Sequence, residues 1–552
     1  MQITPIHQIQ GSGFISPLSG QEITTRGVVT GRTKRGFFIQ DPDGDTQDAV
    51  SHGIFVYERR GKPPVGSLVE VQGRAVDYSP DENARPTTQI EERDTRVLHE
   101  KGAHIEPVWL TAERVMVSHK RLSELLNSLE GMLVGVPAGS TFVAPSNPFG
   151  DYVVLPPGAA GTRTQYGGML IDPKRPEVWM PGFRVLEYAD APRVHVGSEL
   201  LEAVSGPLNF RVASYQIAAT GPVRVKESVV ELTSTTLQSE RNSVTVLTLN
   251  GFNLDAHHER KEHVNDPRRD VDDDLGDGRF DGLASAVVRD AASPDIIALQ
   301  EIQDNDGAEL SSVVSADKTL NQLVRAIRRV GGPQYQWAEV PPEADADGGQ
   351  PGGNIRNAFL FLPKRVSLVE GSLRRLAEDS EAYDDSRKPL VARFRLREHA
   401  GELEIVNVHL TSKRGQNGLF APVDPGLDPR LELRVRQANL IGEHMASLRA
   451  EEVDYYITGD FNDFEFSETL QTLIGDHSTN LVERVPVEMR FDYNHRGLSQ
   501  ALMHGVVGNR QLAERRAEYE ILHANALLGT RPGKRGEKAS DHGYVIARLE
   551  LS

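Results

Sequence analysis

Apolar runs that border a polar side chain are the most regular feature of the second half of the chain. Five such runs occur in order, and the polar residues beside them are Asn250, Glu301, His409, Asp460 and the pair Asp541-His542. Continuous apolar runs are typical of strands that are buried on both faces. In a layered α/β protein the ends of such strands meet in one crevice, where a binding site is expected. The pattern therefore predicts an α/β domain that brings these polar residues together.

The first part of the chain, residues 1–112, shows a different pattern, in which short β-branched and aromatic runs are separated by glycine. These runs are Gln21–Thr30, Gly36–Gln40, Gly53–Tyr57, Ser67–Gly73 and Thr87–Ile90. Their even spacing predicts a small β-barrel with an OB-like strand order. The aromatic and basic side chains of this barrel would either bind single-stranded nucleic acid or belong to a barrel that docks on the catalytic domain.

Residues 113–238 predict a second β-rich domain, either another OB-like barrel or a different β architecture. One helix is expected at Lys120–Leu129, and Gly- and Pro-rich connections separate the strands that follow it. No residue pattern in this part points to chemistry. The polar stretch Ser234–Ser243 is the expected linker into a catalytic domain that covers residues 239–552.

The composition of the chain limits the number of domains and the kinds of site and partner that it can have. With 552 residues the chain is long enough for two to four domains, and its net charge of −18 disfavours binding of nucleic acid by overall charge. Cysteine is absent, which rules out disulfides and thiolate metal sites. No run of 18 apolar residues predicts a membrane span. The first residues, MQITPIHQIQ, lack a signal-peptide pattern, so the protein is either cytoplasmic or a secreted protein without its leader.

The sharpest local motif is Gly459-Asp460-Phe461-Asn462, where glycine interrupts an apolar strand. The carboxylate of Asp460 and the carboxamide of Asn462 are two residues apart, so they lie on one face of an extended segment. A divalent cation and a phosphate oxygen need such groups. The motif alone is equally typical of an ordinary strand-end turn. Because buried Asp and Glu are rarely unpaired, polar residues beside all five runs indicate a functional site.

The order of these residues resembles the endonuclease/exonuclease/phosphatase superfamily, which includes DNase I, exonuclease III and the neutral sphingomyelinases. Two further stretches, Ile355–Phe361 and Ser386–Leu390, match its DNase-like branch, and the match runs from Val244 to Leu551. The N-terminal part resembles the OB-like domain of bacterial extracellular nucleases of this superfamily. The resemblance implies a DNase I-like α/β four-layer sandwich for residues 239–552 and a secreted multidomain protein.

The resemblance also implies a role for each residue. It assigns metal binding to Asn250, Glu301 and Asp541. It assigns catalysis to His409, Asp460, Asn462 and His542, with the division of work between the two histidines left open. It assigns the binding of backbone phosphates to Arg356 and Arg387. Hard oxygen ligands favour Mg²⁺ or Mn²⁺, with Ca²⁺ as an alternative.

Two positions depart from the family pattern. Met503 stands where the family is expected to carry the Asp that orients the imidazole corresponding to His542, and thioether sulfur is a weak acceptor. If no other group replaces that carboxylate, catalysis is weakened and Met503→Asp is expected to raise kcat. Phe361 stands where many relatives carry Tyr, a change that DNase-like members tolerate.

The segment from His257 to Asp281 is rich in aspartate, and its Asp-x-Asp-x-Asp spacing resembles a calcium loop. However, Leu275 occupies the place where an EF-hand requires Gly, and Asp281 would replace the final Glu. A solvated acidic loop is therefore the favoured interpretation.

These features predict a metal-dependent phosphodiester hydrolase, first of all a sequence-tolerant nuclease acting on DNA or also on RNA, since contacts to phosphates do not read sequence. One alternative is a phosphodiesterase or phosphatase acting on lipid head groups or inositol phosphates. Another is a catalytically weakened protein that binds nucleic acid. No protein partner is predicted.

Overall fold

A computed structural model describes residues 2–44, 49–58, 61–79, 85–174, 178–185, 191–211, 214–399, 401–416, 418–421, 427–514, 516–534 and 537–551. None of the helices in these ranges is both long enough and apolar enough to cross a membrane.

The N-terminal strands close into a barrel of order β1-β2-β3-β5-β4. Its elements are α1 (Ile6–Gln10), β1 (Glu22–Thr33), β2 (Gly36–Gln40), β3 (Gly53–Tyr57), β4 (Leu68–Tyr78) and β5 (Thr87–His99). The strands begin where the glycine-separated runs predicted, although β5 continues nine residues beyond Ile90. Its interior is filled by alternating apolar side chains such as Phe37, Ile39 and Val71, together with Ile6 and Ile9 of α1.

The middle of the chain forms a nine-stranded sheet of order β15-β12-β8-β9-β11-β14-β13-β7-β6. Its strands are β6 (Val108–Trp109), β7 (Leu133–Val136), β8 (Thr141–Phe142), β9 (Asp151–Leu155), β11 (Gly182–Val185), β12 (Glu199–Leu200), β13 (Val204–Arg211), β14 (Ser214–Ala219) and β15 (Val225–Lys226), and β10 (Met169–Leu170) lies outside it. Two helices, α2 (Ala112–Val115) and α3 (His119–Ser128), accompany it, and the second lies where a helix was predicted.

The C-terminal part contains two large sheets. The first has the order β18-β19-β17-β16-β30-β29, and the second has the order β20-β22-β23-β24-β28-β25 with β21 paired to β22. The strands of the first are β16 (Ser243–Leu254), β17 (Ile296–Ile302), β18 (Gln336–Glu339), β19 (Arg356–Phe361), β29 (Ala517–Leu522) and β30 (Tyr544–Glu550). Those of the second are β20 (Val366–Leu368), β21 (Arg374–Arg375), β22 (Leu390–Leu396), β23 (Glu402–His409), β24 (Tyr455–Asp460), β25 (Ser478–Asn480) and β28 (Met503–Gly508).

Each face of these two sheets is buried, which explains the continuous apolar runs. In β16, Val244 and Val246 belong to a cluster shared with the second sheet, whereas Leu247 and Leu249 pack with the helices on the other side. Those helices are α4 (Arg279–Ser285) and α5 (Asp317–Arg329), and α6 (Leu431–Ala450) and α7 (Glu468–Ile474) cover the outer face of the second sheet. Two short helices, α8 (Asn509–Glu514) and α9 (Ala524–Leu527), follow. The two strand groups therefore share one core, which aligns the strand ends at one edge.

A small third sheet joins the middle of the chain to the C-terminal part. In it β10 pairs in parallel with β27 (Leu498–Gln500), which pairs in turn with β26 (Tyr493–His495). Nearby, the Thr530 N–H donates to Ser146 O at 2.9 Å, and Ser146 Oγ donates to Thr530 O at 2.7 Å. The nine-stranded sheet is thereby held against the edge where the polar strand ends meet.

Glu130 lies buried where the barrel meets the nine-stranded sheet. Its Oε1 accepts from the Thr88 N–H at 3.1 Å, and its backbone O accepts from Ser51 Oγ at 2.5 Å. Burial raises the pKa of the Glu130 carboxyl from 4.5 to about 8. A group whose pKa rises on folding contributes stability below its unfolded pKa, and that stability is lost as the pH rises through the folded value. The protein is therefore expected to lose stability between about pH 4.5 and 8 because of this carboxyl.

Glu130→Gln should remove this pH dependence, since an amide keeps the acceptor for Thr88 without titrating. At pH 7 we expect a gain on the order of 3 kcal/mol in the free energy of unfolding. The measurement is thermal or denaturant unfolding of both proteins between pH 5 and 8, with Glu124→Gln on the exposed face of α3 as the control. Parallel pH profiles for the parent and Glu130→Gln would contradict the prediction.

Candidate active site

Irregular pairing ends the first sheet at the candidate site. The register of β16 with β17 shifts between Asn250 and Leu254, and that of β17 with β19 shifts between Leu299 and Ile302. Glu301, inside the second shift, has a φ of 53°, a left-handed conformation that is uncommon for a residue with a side chain. A Cβ added to Gly251 would lie 3.0 Å from Glu301 O, so glycine permits the close approach of the two strands. These bulges turn the Glu301 carboxylate out of the regular ladder and into the crevice.

The second sheet delivers Asp460 through a similarly constrained backbone. Gly459 has a φ of 146°, and a Cβ on it would lie 1.9 Å from Val408 O, so no other residue fits there. Asp460 Oδ1 accepts a hydrogen bond from the Asn462 N–H at 2.8 Å, and Asn462 Nδ2 donates to Leu410 O at 3.0 Å. The motif thus forms a rigid turn that presents the other Asp460 oxygen to the crevice.

The two sheets bring four of the expected residues together. Asn250 Nδ2 donates to Glu301 Oε1 at 3.0 Å and to Asp460 Oδ2 at 3.3 Å. His409 Nε2 lies 3.7 Å from Glu301 Oε1 and 3.8 Å from Asp460 Oδ2. The Asn250 Oδ1 accepts from the Phe252 N–H at 2.8 Å. In this arrangement the Asn250 amide nitrogen, and not its oxygen, faces the carboxylates, so Asn250 holds Glu301 and Asp460 in position.

Hydrogen bonding makes His409 a neutral imidazole. Arg387 Nε donates to His409 Nδ1 at 3.2 Å, which leaves the ring proton on Nε2, toward the two carboxylates. Burial, Arg387 and His542 hold the pKa of His409 well below its ordinary value. Arg387 Nη2 also donates to Leu410 O at 3.1 Å. Arg387 therefore lies within the site, where it orients this histidine.

His542 is instead held as a cation. Its Nδ1 lies 2.8 Å from Asp492 Oδ2, its Nε2 lies 3.6 Å from Asp460 Oδ2, and its ring stacks on Tyr493 at 4.6 Å between centroids. Burial lowers the pKa of His542, but Asp541, Asp460 and Asp492 outweigh burial and raise it to about 10. The structure thus holds His409 as a neutral hydrogen-bond donor and His542 as an imidazolium.

Asp492 is the substitute acceptor for His542 that the sequence interpretation left open when it found Met503 in place of the family's Asp. Asp492 is fully buried, and its Oδ1 accepts the backbone N–H groups of Leu502 at 2.7 Å and of Met503 at 3.0 Å. Met503 contributes only that N–H, because its side chain lies in an apolar cluster with Val485, Ile521 and Val545. The sequence interpretation expected the orienting carboxylate at the start of β28, whereas the carboxylate that contacts His542 lies just before β26. The signal that could have found it is an Asp between two aromatic residues in Phe491-Asp492-Tyr493.

Met503→Asp is therefore expected to harm the protein and not to raise kcat. The new carboxylate would be buried among apolar side chains and beside Asp492, which should cost about 3 to 5 kcal/mol of stability. Unfolding midpoints and steady-state rates of Met503→Asp and of the control Met503→Leu check this. A raised kcat with an unchanged unfolding midpoint would show that His542 does need a carboxylate from position 503.

The two arginines expected at phosphates occupy different places. Arg356 is 2% exposed, and its Nη1 lies 3.2 Å from Glu339 Oε2 while its Nη2 donates to Asn354 O at 3.1 Å. These contacts hold the Arg356 guanidinium against the loop before β19. Of the two arginines, Arg387 is the one in direct contact with the residues around Asp460.

The donors around Glu301 fit a hard divalent cation. Burial first, and then Asp541, raises the pKa of Glu301 to about 7. Asp541 Oδ1 is buried and has no hydrogen-bond partner. One ligand atom from each of Glu301, His409 and Asp460 lies within 4.8 Å of the others. Crowded carboxylates and an unsatisfied carboxylate oxygen match the needs of a bound cation, since buried negative charge requires a partner.

A cleft of about 840 Å³ reaches Asp541 and lies between the nine-stranded sheet and the C-terminal sheets. The nine-stranded side contributes aromatic and basic side chains: Tyr152, Trp179, Arg211 and Tyr215. The C-terminal side contributes Tyr493 and Asp541. Sequence reasoning found no chemistry in residues 113–238, yet this part forms one wall of the cleft. Its strands carry no local pattern that shows which face borders a site.

Comparisons with known proteins found one family model and several similar solved structures. Residues 111–229 match a family model described as "Domain of unknown function (DUF8508)". No curated protein matches the chain. A Bacteroides thetaiotaomicron endonuclease/exonuclease/phosphatase family protein is a similar solved structure, with 17% identity, a TM-score of 0.35, and coverage of 56% of this chain and 98% of its own.

Two further similar structures have named activities or ligands. One is the B. thetaiotaomicron mannosyl-6-phosphatase, with 16% identity, a TM-score of 0.35, and coverage of 55% of this chain and 98% of its own. The other is D. rerio TDP2 complexed with a single-strand DNA product, with 14% identity, a TM-score of 0.35 and coverage of 55% and 98%. At these identities the substrate of this chain has to be inferred from its own side chains. Over about half of its length, the chain resembles structures of the endonuclease/exonuclease/phosphatase family, as its motifs predicted.

Proposed function

We propose that the protein is a metal-dependent phosphodiester hydrolase, and that its substrate is nucleic acid. The observation that carries the proposal is the pair of buried contacts that flank the Asp460 carboxylate. On one side stands the imidazolium of His542, held by Asp492, and on the other stands the neutral Nε2–H of His409. An acceptor between two N–H donors suits an attacking water beside a phosphoryl group.

Each side chain then has a separate task. Asp460 orients the water and receives its proton, since burial raises the pKa of its carboxyl and makes it a better base. His542 and His409 donate hydrogen bonds to the oxygens on which negative charge develops. Glu301 and Asp541 would hold the divalent cation, which supplies further charge neutralisation when bound. Mg²⁺ or Mn²⁺ suits these oxygen donors, with Ca²⁺ as the alternative. We place Asn250 as the group that positions the carboxylates and Asn462 as a further donor beside them.

The N-terminal barrel supports the choice of nucleic acid. A groove of about 850 Å³ lies between the barrel and the nine-stranded sheet, and basic and aromatic side chains line it: Lys34, Arg35, Phe55, Tyr57, Tyr78 and Arg184. Aromatic rings for stacking and cations for phosphates are the features of grooves that bind single strands. We infer that the barrel is OB-like and that it guides DNA or RNA toward the cleft. An extracellular location belongs to this proposal.

Removal of the basic groups of the groove should weaken binding without changing the chemistry. Lys34→Gln combined with Arg35→Gln is expected to lower the salt slope of single-stranded DNA binding by about 1.4, if both side chains contact phosphates. The control is Arg26→Gln with Arg93→Gln, two exposed barrel arginines that do not line the groove. Hydrolysis of bis-p-nitrophenyl phosphate should be the same in all three proteins. Equal salt slopes for the two double variants would contradict a role for the groove.

Nicking of supercoiled plasmid tests the main proposal. Mg²⁺, Mn²⁺ or Ca²⁺ is added singly, EDTA is the negative control, and sphingomyelin vesicles and p-nitrophenyl phosphate are offered in parallel. Metal-dependent nicking that is lost in Asp460→Asn supports a nuclease. Turnover of sphingomyelin alone would move the assignment to a lipid phosphodiesterase, and turnover of p-nitrophenyl phosphate alone to a phosphatase. No turnover with any metal would overturn the enzymatic proposal.

A further inference from the structure

Most of the aspartate-rich segment that follows β16 is exposed, as its composition predicted, but some of its carboxylates are folded inward. Asp255 and Asp274 are each 1% exposed, and Glu259 is 4% exposed. The carboxylates of Asp255, Asp272 and Asp274 each bring one oxygen within 4.8 Å of the other two. We propose that Asp255, Glu259, Asp272 and Asp274 form a second divalent-cation site, separate from Glu301 and Asp541, which takes a calcium-class ion.

An unsatisfied oxygen marks the centre of this site. Asp255 Oδ1 accepts from the His257 N–H at 2.7 Å, but its buried Oδ2 has no hydrogen-bond partner. Glu259 Oε1 borders the same spot, because a Cβ on Gly307 would lie 2.3 Å from Glu259 Oε1 and 2.9 Å from Asp255 Oδ2. Gly307 has a φ of 64°, so its backbone also favours glycine. A buried carboxylate oxygen without a donor needs a cation or a proton.

The charges around the site do not balance without a cation. Arg279 is the guanidinium that meets the cluster, through its Nη1 and Asp274 Oδ1. The nearby basic side chains of Arg260, His257 and His263 instead contact Glu309. Asp277 adds a further negative charge near Asp272. Among the described residues, four carboxylates therefore meet one guanidinium, and a divalent cation would offset two of the three remaining negative charges.

The number and type of the donors favour Ca²⁺ over smaller ions. All the donors are oxygens, as hard cations require. Ca²⁺ accepts about six to eight oxygen ligands in flexible geometry, whereas Mg²⁺ requires a nearly octahedral arrangement and keeps several of its waters. The geometry is not that of an EF-hand, because Asp255 and Glu259 lie before the Asp-rich motif and the exposed Leu275 takes no part.

A cation here would stabilise one wall of the cleft. Asp255 N–H donates to Asp274 Oδ2 at 3.1 Å, which ties the start of the segment to its end. Arg279 Nη2 donates to Gly251 O and Phe252 O, both at 2.6 Å, directly after Asn250. Asp272 and Asp274 also line the cleft that Asp541 lines. A bound ion would therefore fix the backbone after Asn250 and offset carboxylates that face an anionic substrate.

The test uses the full chain with the catalytic carboxylates removed, as Glu301→Gln with Asp460→Asn. After chelator treatment, Ca²⁺ is titrated by calorimetry, and thermal unfolding is followed with and without Ca²⁺. We expect one Ca²⁺ per chain and a rise of about 3 to 6 °C in the unfolding midpoint at saturation. This result does not depend on the proposed reaction, because the parent of the test is inactive by design.

Single variants locate the ion. Asp255→Asn in that parent should abolish both the binding heat and the Ca²⁺-induced rise, yet without Ca²⁺ it should unfold no earlier than the parent, since it removes uncompensated charge. Glu259→Gln is a second variant with the same expectation, for use if Asp255→Asn does not fold. Asp273→Asn, whose carboxylate accepts from the Gly276 N–H outside the cluster, should bind Ca²⁺ like the parent. Absence of Ca²⁺ binding in the parent, or parent-like binding by Asp255→Asn or Glu259→Gln, would overturn the site.

Discussion

Asp492→Asn is expected to lower kcat/KM for phosphodiester hydrolysis by about 10³- to 10⁴-fold with little change in fold. An Asn at this position can keep its oxygen on the N–H groups of Leu502 and Met503. Its amide nitrogen then faces His542 Nδ1 and donates to it, which places the ring proton on Nε2 and removes the charge that stabilises the imidazolium. The variant should therefore fold normally with a neutral, differently protonated His542.

The pH profile separates positioning of His542 from a merely structural role. Asp492 is one of three carboxylates that raise the pKa of His542 to about 10. Its replacement should lower that pKa, so the alkaline limb of the activity profile should move to lower pH in Asp492→Asn. Asp281→Asn, which changes an aspartate that is 56% exposed, is the matched control. A variant with an unshifted alkaline limb, or with parental activity, would show that Asp492 does not act through His542.

Glu301→Gln and Asp460→Asn are each expected to reduce turnover by about 10³-fold or more while leaving the protein at least as stable as the parent. Burial raises the pKa of both carboxyls, and each also lies near Asp541. A neutral side chain of the same shape relieves that repulsion, so stability and activity should change in opposite directions.

Activity and unfolding measured on the same preparations check this pair of effects. Glu301→Gln should also reduce any rise in the unfolding midpoint that Mg²⁺ or Mn²⁺ produces in the parent. The comparison variant is again Asp281→Asn. Parental turnover in either variant would remove that residue from the site, and a strongly lowered unfolding midpoint would mean that the carboxylate is needed for folding.

The second sheet shows how much of the fold can be predicted from local patterns in the sequence. The predicted strand Leu403–His409 is observed as Glu402–His409, and the apolar run before Asp460 is observed as Tyr455–Asp460. Both strands are buried on their two faces. Such burial requires an uninterrupted apolar run, and a run of this kind is visible in the sequence. The same property places the polar residues at strand ends, since burial excludes them from the middle.

Other features depend on contacts between distant segments. Asp492 lies 50 residues before His542, and nothing around either residue shows that their side chains meet. The charge difference between His409 and His542 follows from Arg387 beside one ring and three carboxylates beside the other. The same holds for Asp255 and Asp274, which an aspartate-rich stretch makes look solvated and which are buried in the fold.

Hydrophobic burial and local backbone geometry are properties of neighbouring residues, so the buried strands of the C-terminal part and the polar residue types beside them could be predicted from the sequence. Only the tertiary structure decided which carboxylate serves which histidine, which wall encloses the cleft and where buried charge remains unbalanced. Those outcomes depend on distances of a few ångströms between segments that are far apart in the chain. At such distances the packing of the segments decides which side chains pair, how far each is desolvated and which protonation state it takes.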